Sequence, residues 1–418
     1  MEQSKEQRER ETHTHLKFTL TFNKGSNMGS TPSKPEFVTV LAKQQVPHGQ
    51  HFILSCEANT EYVTVSWQKD GQKLDCVEGK HKVRQLGTKC VLEISKAEDA
   101  DEGNYTITLS NSSGSASCSA LVRIIIKEWR TVQWGQNRIN SLKTFQICNK
   151  VEELRFLLYG PVGVGKSSII NTIRTIFEGR QFVNCLAAPG STTSHTLCYE
   201  QFRFANEEGS FPFAFNDIMG AEEDSGVLTQ DIVSALKGHM KEGYTFNPQT
   251  PLPINNHYYN QNPTLSDQMH CLVLVMPADR VSMLADNFIK KMKSVREEAS
   301  RMGIPQVVFM TRVDCACQLT KEDLRNVYKS KKIRENMQKY ANELGVPVNR
   351  IFPVLNYHEE TQMQYEPYLN RIFPVCNYHE ETHINEDINY LMLDAFTHVV
   401  YWANDYVVKF VSNQFHAE

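Results

Sequence analysis

The sequence predicts two folded domains of different class: a small antiparallel β sandwich over residues 35–127, then an α/β domain with a mostly parallel, doubly wound sheet over residues 154–418. Three observations predict this. Short alternating strands punctuated by turn residues fill the first stretch. Buried-type strands alternate with helical patterns in the second. The run Gly160-Pro-Val-Gly-Val-Gly-Lys-Ser167 joins an apolar strand, Arg155–Tyr159, to an apolar helix beginning Ser168-Ile-Ile.

Residues 1–34 are polar, with Gly-Ser and Pro-Ser clusters, and are expected to be a disordered leader. No apolar stretch follows Met1, so no secretory leader is expected. Within 35–127, Phe52–Cys56, Val65–Gly71, Leu92–Ile94 and Asp101–Tyr105 read as strands of the sandwich. Trp67 is its expected core tryptophan. This stretch resembles an immunoglobulin domain of the intermediate set, as in cytoplasmic muscle proteins. The likeness rests on Trp67 and on Asp101-Glu-Gly-Asn-Tyr105, with Tyr105 as the tyrosine corner. Two residues after Tyr105, where a disulfide-bonded domain has its second cysteine, stands Ile107. Cys56 then has no partner there and reads as a small buried apolar residue. Such a domain is either a protein-binding module or a passive spacer.

Residues 128–153 form a linker that opens with Trp129-Arg-Thr-Val-Gln-Trp134. Paired tryptophans anchor a linker on a neighbouring core more often than they bind ligand. From residue 154, strands are expected at Arg155–Tyr159, Cys198–Phe204, Phe211–Asn216, His270–Met276, Gln306–Thr311 and Ile372–Val375. Helices are expected at Lys166–Phe177, Leu228–Met240, Val281–Met302, Lys321–Leu344 and Glu386–Phe415. The segment Asn349–Thr361 recurs as Asn370–Thr382 with only Leu355 and Cys376 differing. Only one copy can supply the last strand. The second is preferred, because Glu386-Asp387 starts a helix soon after it.

The glycine-rich run is a phosphate cradle. Gly160, Val162, Gly163, Val164, Gly165, Lys166, Ser167 and Ser168 are its candidate contacts. The glycines let backbone N–H groups converge on phosphate at a helix N-terminus. Lys166 reaches the β- and γ-phosphates, and Ser167 ligates Mg²⁺. A switch needs a threonine in a mobile loop. Thr196 is the first candidate for that metal contact and Thr193 the second. Asp217-Ile-Met-Gly220 ends a strand as D-x-x-G. Asp217 would hold Mg²⁺ through water, and the Gly220 amide would sense the γ-phosphate. Thr311-Arg-Val-Asp314 ends another strand and is the candidate base reader. Asp314 can accept from the paired donors of guanine, which adenine lacks, and Arg312 can stack on the base. Guanine is therefore favoured over adenine. A further contact is expected from Asn356-Tyr357 or its twin Asn377-Tyr378, with Asn377 taken as the guanine contact.

These motifs together describe an α/β P-loop GTPase-like domain binding GTP or GDP with Mg²⁺. From Trp129 to about Val407 the chain resembles the interferon-induced protein 44 family. The likeness rests on the tryptophan pair, the Gly160–Ser168 loop, Asp217-x-Met-Gly220 and Thr311-x-Val-Asp314. It also rests on Lys237-Gly-His239…Phe246-Asn-Pro248, a spacing that generic GTPases lack. The resemblance implies a cytoplasmic, interferon-responsive, GTP-binding protein of antiviral defence, linked to cytoplasmic aggregates and hence to self-association. It also implies a base motif without the usual lysine, in keeping with Arg312.

Ala221 stands where Ras-like enzymes orient water with glutamine, and Val162 replaces a glycine beside the γ-phosphate. Both point to a slow GTPase at most, or to a switch that needs a partner. Two other readings stay open. One is a cytoplasmic adaptor whose immunoglobulin-like domain binds a protein and whose nucleotide is structural. The other is an ATP-driven enzyme. Composition narrows the partners. With 44 Lys+Arg against 48 Asp+Glu, the net charge of -4 gives no case for nucleic acid or anionic membrane. The 11 cysteines lack metal-ligand spacing and suggest a reducing compartment.

Overall fold

The computed structural model describes residues 33–135, 138–179, 198–206, 209–220, 226–357 and 385–415. The chain divides into two compact units. The first holds the residues up to Gln44 with His51–Ser95 and Glu102–Val122. The second holds Gln45–Gln50, Lys96–Asp101 and everything from Arg123 on.

Nine strands form the sandwich: β1 (Phe37–Thr39), β2 (Gln44–Pro47), β3 (Phe52–Ala58), β4 (Thr64–Lys69), β5 (Gln72–Lys73), β6 (His81–Leu86), β7 (Lys89–Ile94), β8 (Gly103–Asn111) and β9 (Gly114–Ile125). They make two sheets, ordered β1-β3-β7-β6 and β2-β9-β8-β4-β5. Burial alternates along β3, so Phe52, Leu54, Cys56 and Ala58 point inward. Trp67, Tyr105 and Ile107 are buried in the same core. The Phe52 and Tyr105 rings meet edge to face at 6.2 Å. Cys56 lies opposite Cys90 across β3 and β7. Both are buried free thiols, so packing rather than a disulfide closes this core.

Among the described residues, the second unit holds a six-stranded sheet flanked by helices. Its strands are β10 (Leu154–Tyr159), β11 (Glu200–Asn206), β12 (Gly209–Asp217), β13 (Cys271–Pro277), β14 (Gln306–Thr311) and β15 (Ile351–Pro353). The order is β11-β12-β10-β13-β14-β15. Only the β11/β12 pair is antiparallel; the other neighbours run parallel. Every residue of β13 and β14 is buried, as a parallel sheet covered on both faces requires. The helices are α1 (Ile139–Lys143), α2 (Lys166–Glu178), α3 (Thr229–Leu236), α4 (Asp286–Arg301), α5 (Val313–Ala316), α6 (Gln318–Glu322), α7 (Lys331–Leu344) and α8 (Glu386–Phe415). Phe396 of α8 meets the rings of Phe156, Phe177, Phe213 and Phe215, which welds α2 and α8 to the centre of the sheet. No described helix is long and apolar enough to cross a membrane.

The segment after Arg123 is anchored to this unit. Trp129 meets Tyr328 edge to face at 5.0 Å. The Arg130 guanidinium lies over Trp129, Tyr328 and Phe352 and donates to the carbonyls of Ile351 (2.7 Å) and Val348 (2.9 Å).

Three expectations need correction. The last strand comes from the first copy of the duplication, since Ile351, Phe352 and Pro353 pair with Val308, Phe309 and Met310. The reason is loop length: Gly345 ends α7 in the left-handed conformation, and a short turn reaches Ile351. The second copy, with Ile372–Val375, lies outside the described residues. The helix expected over Lys321–Leu344 is broken. Asp323 and Ser330 leave helical geometry to cap the backbone N–H groups of Arg325 and Ile333. The helix expected over Leu228–Met240 stops at Leu236, because Gly238 takes a positive φ of 79° against the backbone of Asp267. The leader expected over 1–34 lies outside the described residues except for its last two.

His270 locks the far edge of the sheet, where β13 begins. Its Nδ1 accepts from the Arg155 backbone N–H (2.9 Å), so Nε2 carries the proton donated to the Leu265 carbonyl (3.0 Å). Burial pushes its pKa down to about 4. The unfolded chain takes up this proton below about pH 6.5, while the folded chain refuses it until about pH 4. The contribution is therefore intact above pH 6.5 and lost as pH falls toward 4. Urea unfolding at pH 7 and pH 4.5 will show a loss of stability that shrinks by about 2 kcal/mol in His270→Asn. An equal loss in both proteins would remove His270 as the cause.

Candidate functional site

The C-terminal ends of β10, β12, β13, β14 and β15 share one edge of the sheet, and the order reverses around β10. A crevice at such a switch point is where open α/β sheets bind ligands. Gly160–Gly165 leads from β10 into α2 at this end of the sheet. Gly165 is the N-cap of α2 with φ 93°. A Cβ there would sit 2.7 Å from the Asn356 amide nitrogen, and the positive φ favours glycine. Val164 is buried beneath the loop, Gly163 adopts φ 71°, and Ser168 lies in the first turn of α2. Lys166 folds back over the loop, donating to the carbonyls of Gly160 (3.2 Å) and Pro161 (3.1 Å). Burial pushes its pKa down, and the Asp217 carboxylate acts against that shift.

Ser167 donates its hydroxyl to Asp217 at 2.8 Å. The sheet sets this pair: Asp217 ends β12 level with Leu158 of β10, and Ser167 opens the helix that follows β10. A pair of buried polar side chains sits beside Asp217 on the opposite face of β12. Tyr199 donates to Asn216 (2.9 Å), and Asn216 reaches the Phe156 carbonyl (3.4 Å). Gly220 lies against the loop so closely that a Cβ would be 2.5 Å from Val162 Cγ2. Thr193 and Thr196 lie outside the described residues, as do Ala221, Glu222 and Glu223.

On the other flank, Thr311 ends β14 and donates to the Val164 carbonyl at 2.7 Å. Its hydroxyl thus supports the loop. Arg312 is left-handed (φ 59°, ψ 36°), a strained conformation for a non-glycine residue. Its Nε lies 2.9 Å from both Asp279 oxygens, and its Nη2 lies 2.9 Å from Oδ2. Asp314 follows in the first turn of α5, where the Cys315 thiol approaches Oδ2 at 3.7 Å. Asn377 lies outside the described residues. Its twin Asn356 is at the site, donating to the Gly165 carbonyl at 3.2 Å. Asn356 is buried, and its Oδ1 has no hydrogen-bond partner among the described residues.

The donor set fits a magnesium–nucleotide group. Ser167 and Asp217 offer hard oxygens to a metal that takes few protein ligands and completes its shell with phosphate and water. The backbone at the start of α2 offers N–H donors. The orphaned Asn356 oxygen is a ready acceptor beside them. Asp279 escapes sequence reasoning, because nothing local in Pro277-Ala278-Asp279 reveals a partner one strand away. The same holds for the α7 side chains that fix this turn. Asn336 donates to the Ala278 carbonyl (2.9 Å) and Tyr340 to the Pro277 carbonyl (2.7 Å).

Comparison with known proteins gives matches of two kinds. Residues 35–124 match the immunoglobulin I-set domain family. A solved structure of titin domain M7 is 35% identical and covers 23% of this chain and 98% of its own, with a TM-score of 0.22. Human interferon-induced protein 44 is 29% identical over 236 residues, which is 56% of this chain and 53% of that protein. Human interferon-induced protein 44-like is 32% identical over 218 residues, 51% of this chain and 48% of that protein. The chain thus spans about half the length of the curated relatives it matches. It carries an immunoglobulin I-set domain and is similar, over 56% of its length, to interferon-induced protein 44.

Proposed function

We propose that the second unit is a guanine-nucleotide switch of the interferon-induced innate immune response, acting in antiviral defence in the cytoplasm. The observation that carries this reading is the 2.8 Å contact between Ser167 and Asp217 at the mouth of a glycine-rich loop. Those two side chains would hold Mg²⁺, which when bound neutralises charge on the β- and γ-phosphates. The Gly160–Gly165 backbone and Lys166 would hold the phosphates, the ammonium exchanging its loop carbonyls for phosphate oxygens. Asp314 would accept from guanine N1–H and the 2-amino group, with Asn356 beside it. Similarity to interferon-induced protein 44 supports the immune role. The immunoglobulin domain would then be the protein-binding module of the chain, and the second unit would govern when that binding matters.

Turnover is proposed to be slow. The Val162 side chain lies against Gly220, where it would crowd an attacking water at a γ-phosphate. The Gly220 backbone is the element that would register the γ-phosphate, and it has no room for a side chain.

Three outcomes test this. Titration of the purified chain with fluorescent GTP, GDP and ATP will show guanine-selective, magnesium-dependent binding. Lys166→Ala and Asp314→Ala will each weaken it roughly 100-fold, with Asp314→Ala also losing the preference for guanine. Binding indifferent to Asp314 would end the guanine reading. In single-turnover assays, Val162→Gly will raise hydrolysis roughly ten-fold or more. Gly220→Ala will impair GTP binding more than GDP binding. Equal loss of both nucleotides would show that Gly220 does not register the γ-phosphate.

A further inference from the structure

We infer that Asp279 is a positioning residue for base recognition: it fixes the plane of Arg312 so that the guanidinium forms one wall of the base site. The inference rests on the guanine-nucleotide reading above and adds a residue to it. A lysine at the Arg312 position would present a flexible point charge. An arginine presents a flat, weakly hydrated surface suited to stacking, but only when its orientation is set. Asp279 sets it. Both carboxylate oxygens engage Nε, and Oδ2 also engages Nη2, all at 2.9 Å. That arrangement takes one edge of the guanidinium and defines its plane. The Arg312 side chain is 32% exposed and that of Asp279 17%, so the pair sits at a partly desolvated margin rather than in free solvent.

The surroundings are built to hold this geometry. Thr311 is tied to the phosphate loop through Val164, which fixes where Arg312 starts. The left-handed backbone at Arg312 then turns its side chain away from the direction β14 would give it. Such strain persists where surrounding contacts over-determine it. On the Asp279 side, Asn336 and Tyr340 of α7 grip the two carbonyls immediately before it. Pro277 and Thr311 are register partners in neighbouring strands, so the pair bridges the ends of β13 and β14. The result is a rigid path from α7 through Asp279 to Arg312, next to Asp314.

A merely structural ion pair would survive exchange of its ends; a base-site wall would not. Fluorescent GTP, fluorescent ATP and thermal melting are measured on the full chain, on Asp279→Asn, on Asp279→Glu and on the double variant Arg312→Asp with Asp279→Arg. Asp279→Asn is expected to weaken GTP binding roughly ten-fold and narrow the GTP-over-ATP preference, with Asp279→Glu recovering part of both. The double variant is expected to melt near the parent and still bind GTP weakly. The inference is overturned if Asp279→Asn binds GTP like the parent, or if the double variant regains GTP affinity along with stability. A parent chain that binds no guanine nucleotide would instead remove the underlying reading, and this inference with it.

Discussion

Parallel pairing of β10 on both of its edges is the constraint on which the second unit depends. One edge takes β12 and the other takes β13, so chain direction and strand order are fixed around a single buried strand. A strand buried on every side carries apolar residues almost throughout, and Leu154–Tyr159 does so. The chain can leave such a strand only at its C-terminal end, into the crevice between two outgoing crossovers. The glycine-rich loop occupies that exit. Aspartates from β12 and from beyond β13 and β14 arrive at the same edge because parallel strands all finish there.

The loop is held by side chains from around it. Thr311 from β14 binds its Val164 carbonyl, Asn356 from beyond β15 binds its Gly165 carbonyl, and Lys166 caps the carbonyls of Gly160 and Pro161. Carbonyls engaged by side chains are satisfied, which leaves the loop N–H groups as the donors an anion would use. Two elements distant in sequence, and the first residue of the helix that follows, thus engage the backbone of one short loop.

Much of the site was legible because its signals are local. A glycine-rich loop between strand and helix, D-x-x-G and T-R-x-D each announce themselves within a few residues and in a fixed order. The sandwich was legible for the same reason, through Trp67 and the run to Tyr105. What the sequence withheld is tertiary. Thr311 looks like a base contact until its hydroxyl is seen against Val164. Asp279 looks like a solvated turn residue until Arg312 is seen across from it. The duplicated segment offered two chemically equal strands, and connection length chose between them. Broken helices are an intermediate case: Ser330 is a recognisable cap, but a mostly helical pattern on both sides of it hides the break.

Ile107 and the unbridged Cys56 bear on how the first unit comes to its native state. A sandwich joins strands far apart in the chain, so its folding must close long loops before contacts repay the entropy. A covalent bridge would shorten that search and make recovery conditional on an oxidant. With Cys56 facing Cys90 as a thiol, closure rests on packing of buried side chains such as Phe52, Leu54, Trp67, Tyr105 and Ile107. Regaining this core after unfolding then needs packing alone, with no oxidant and no bond to re-form.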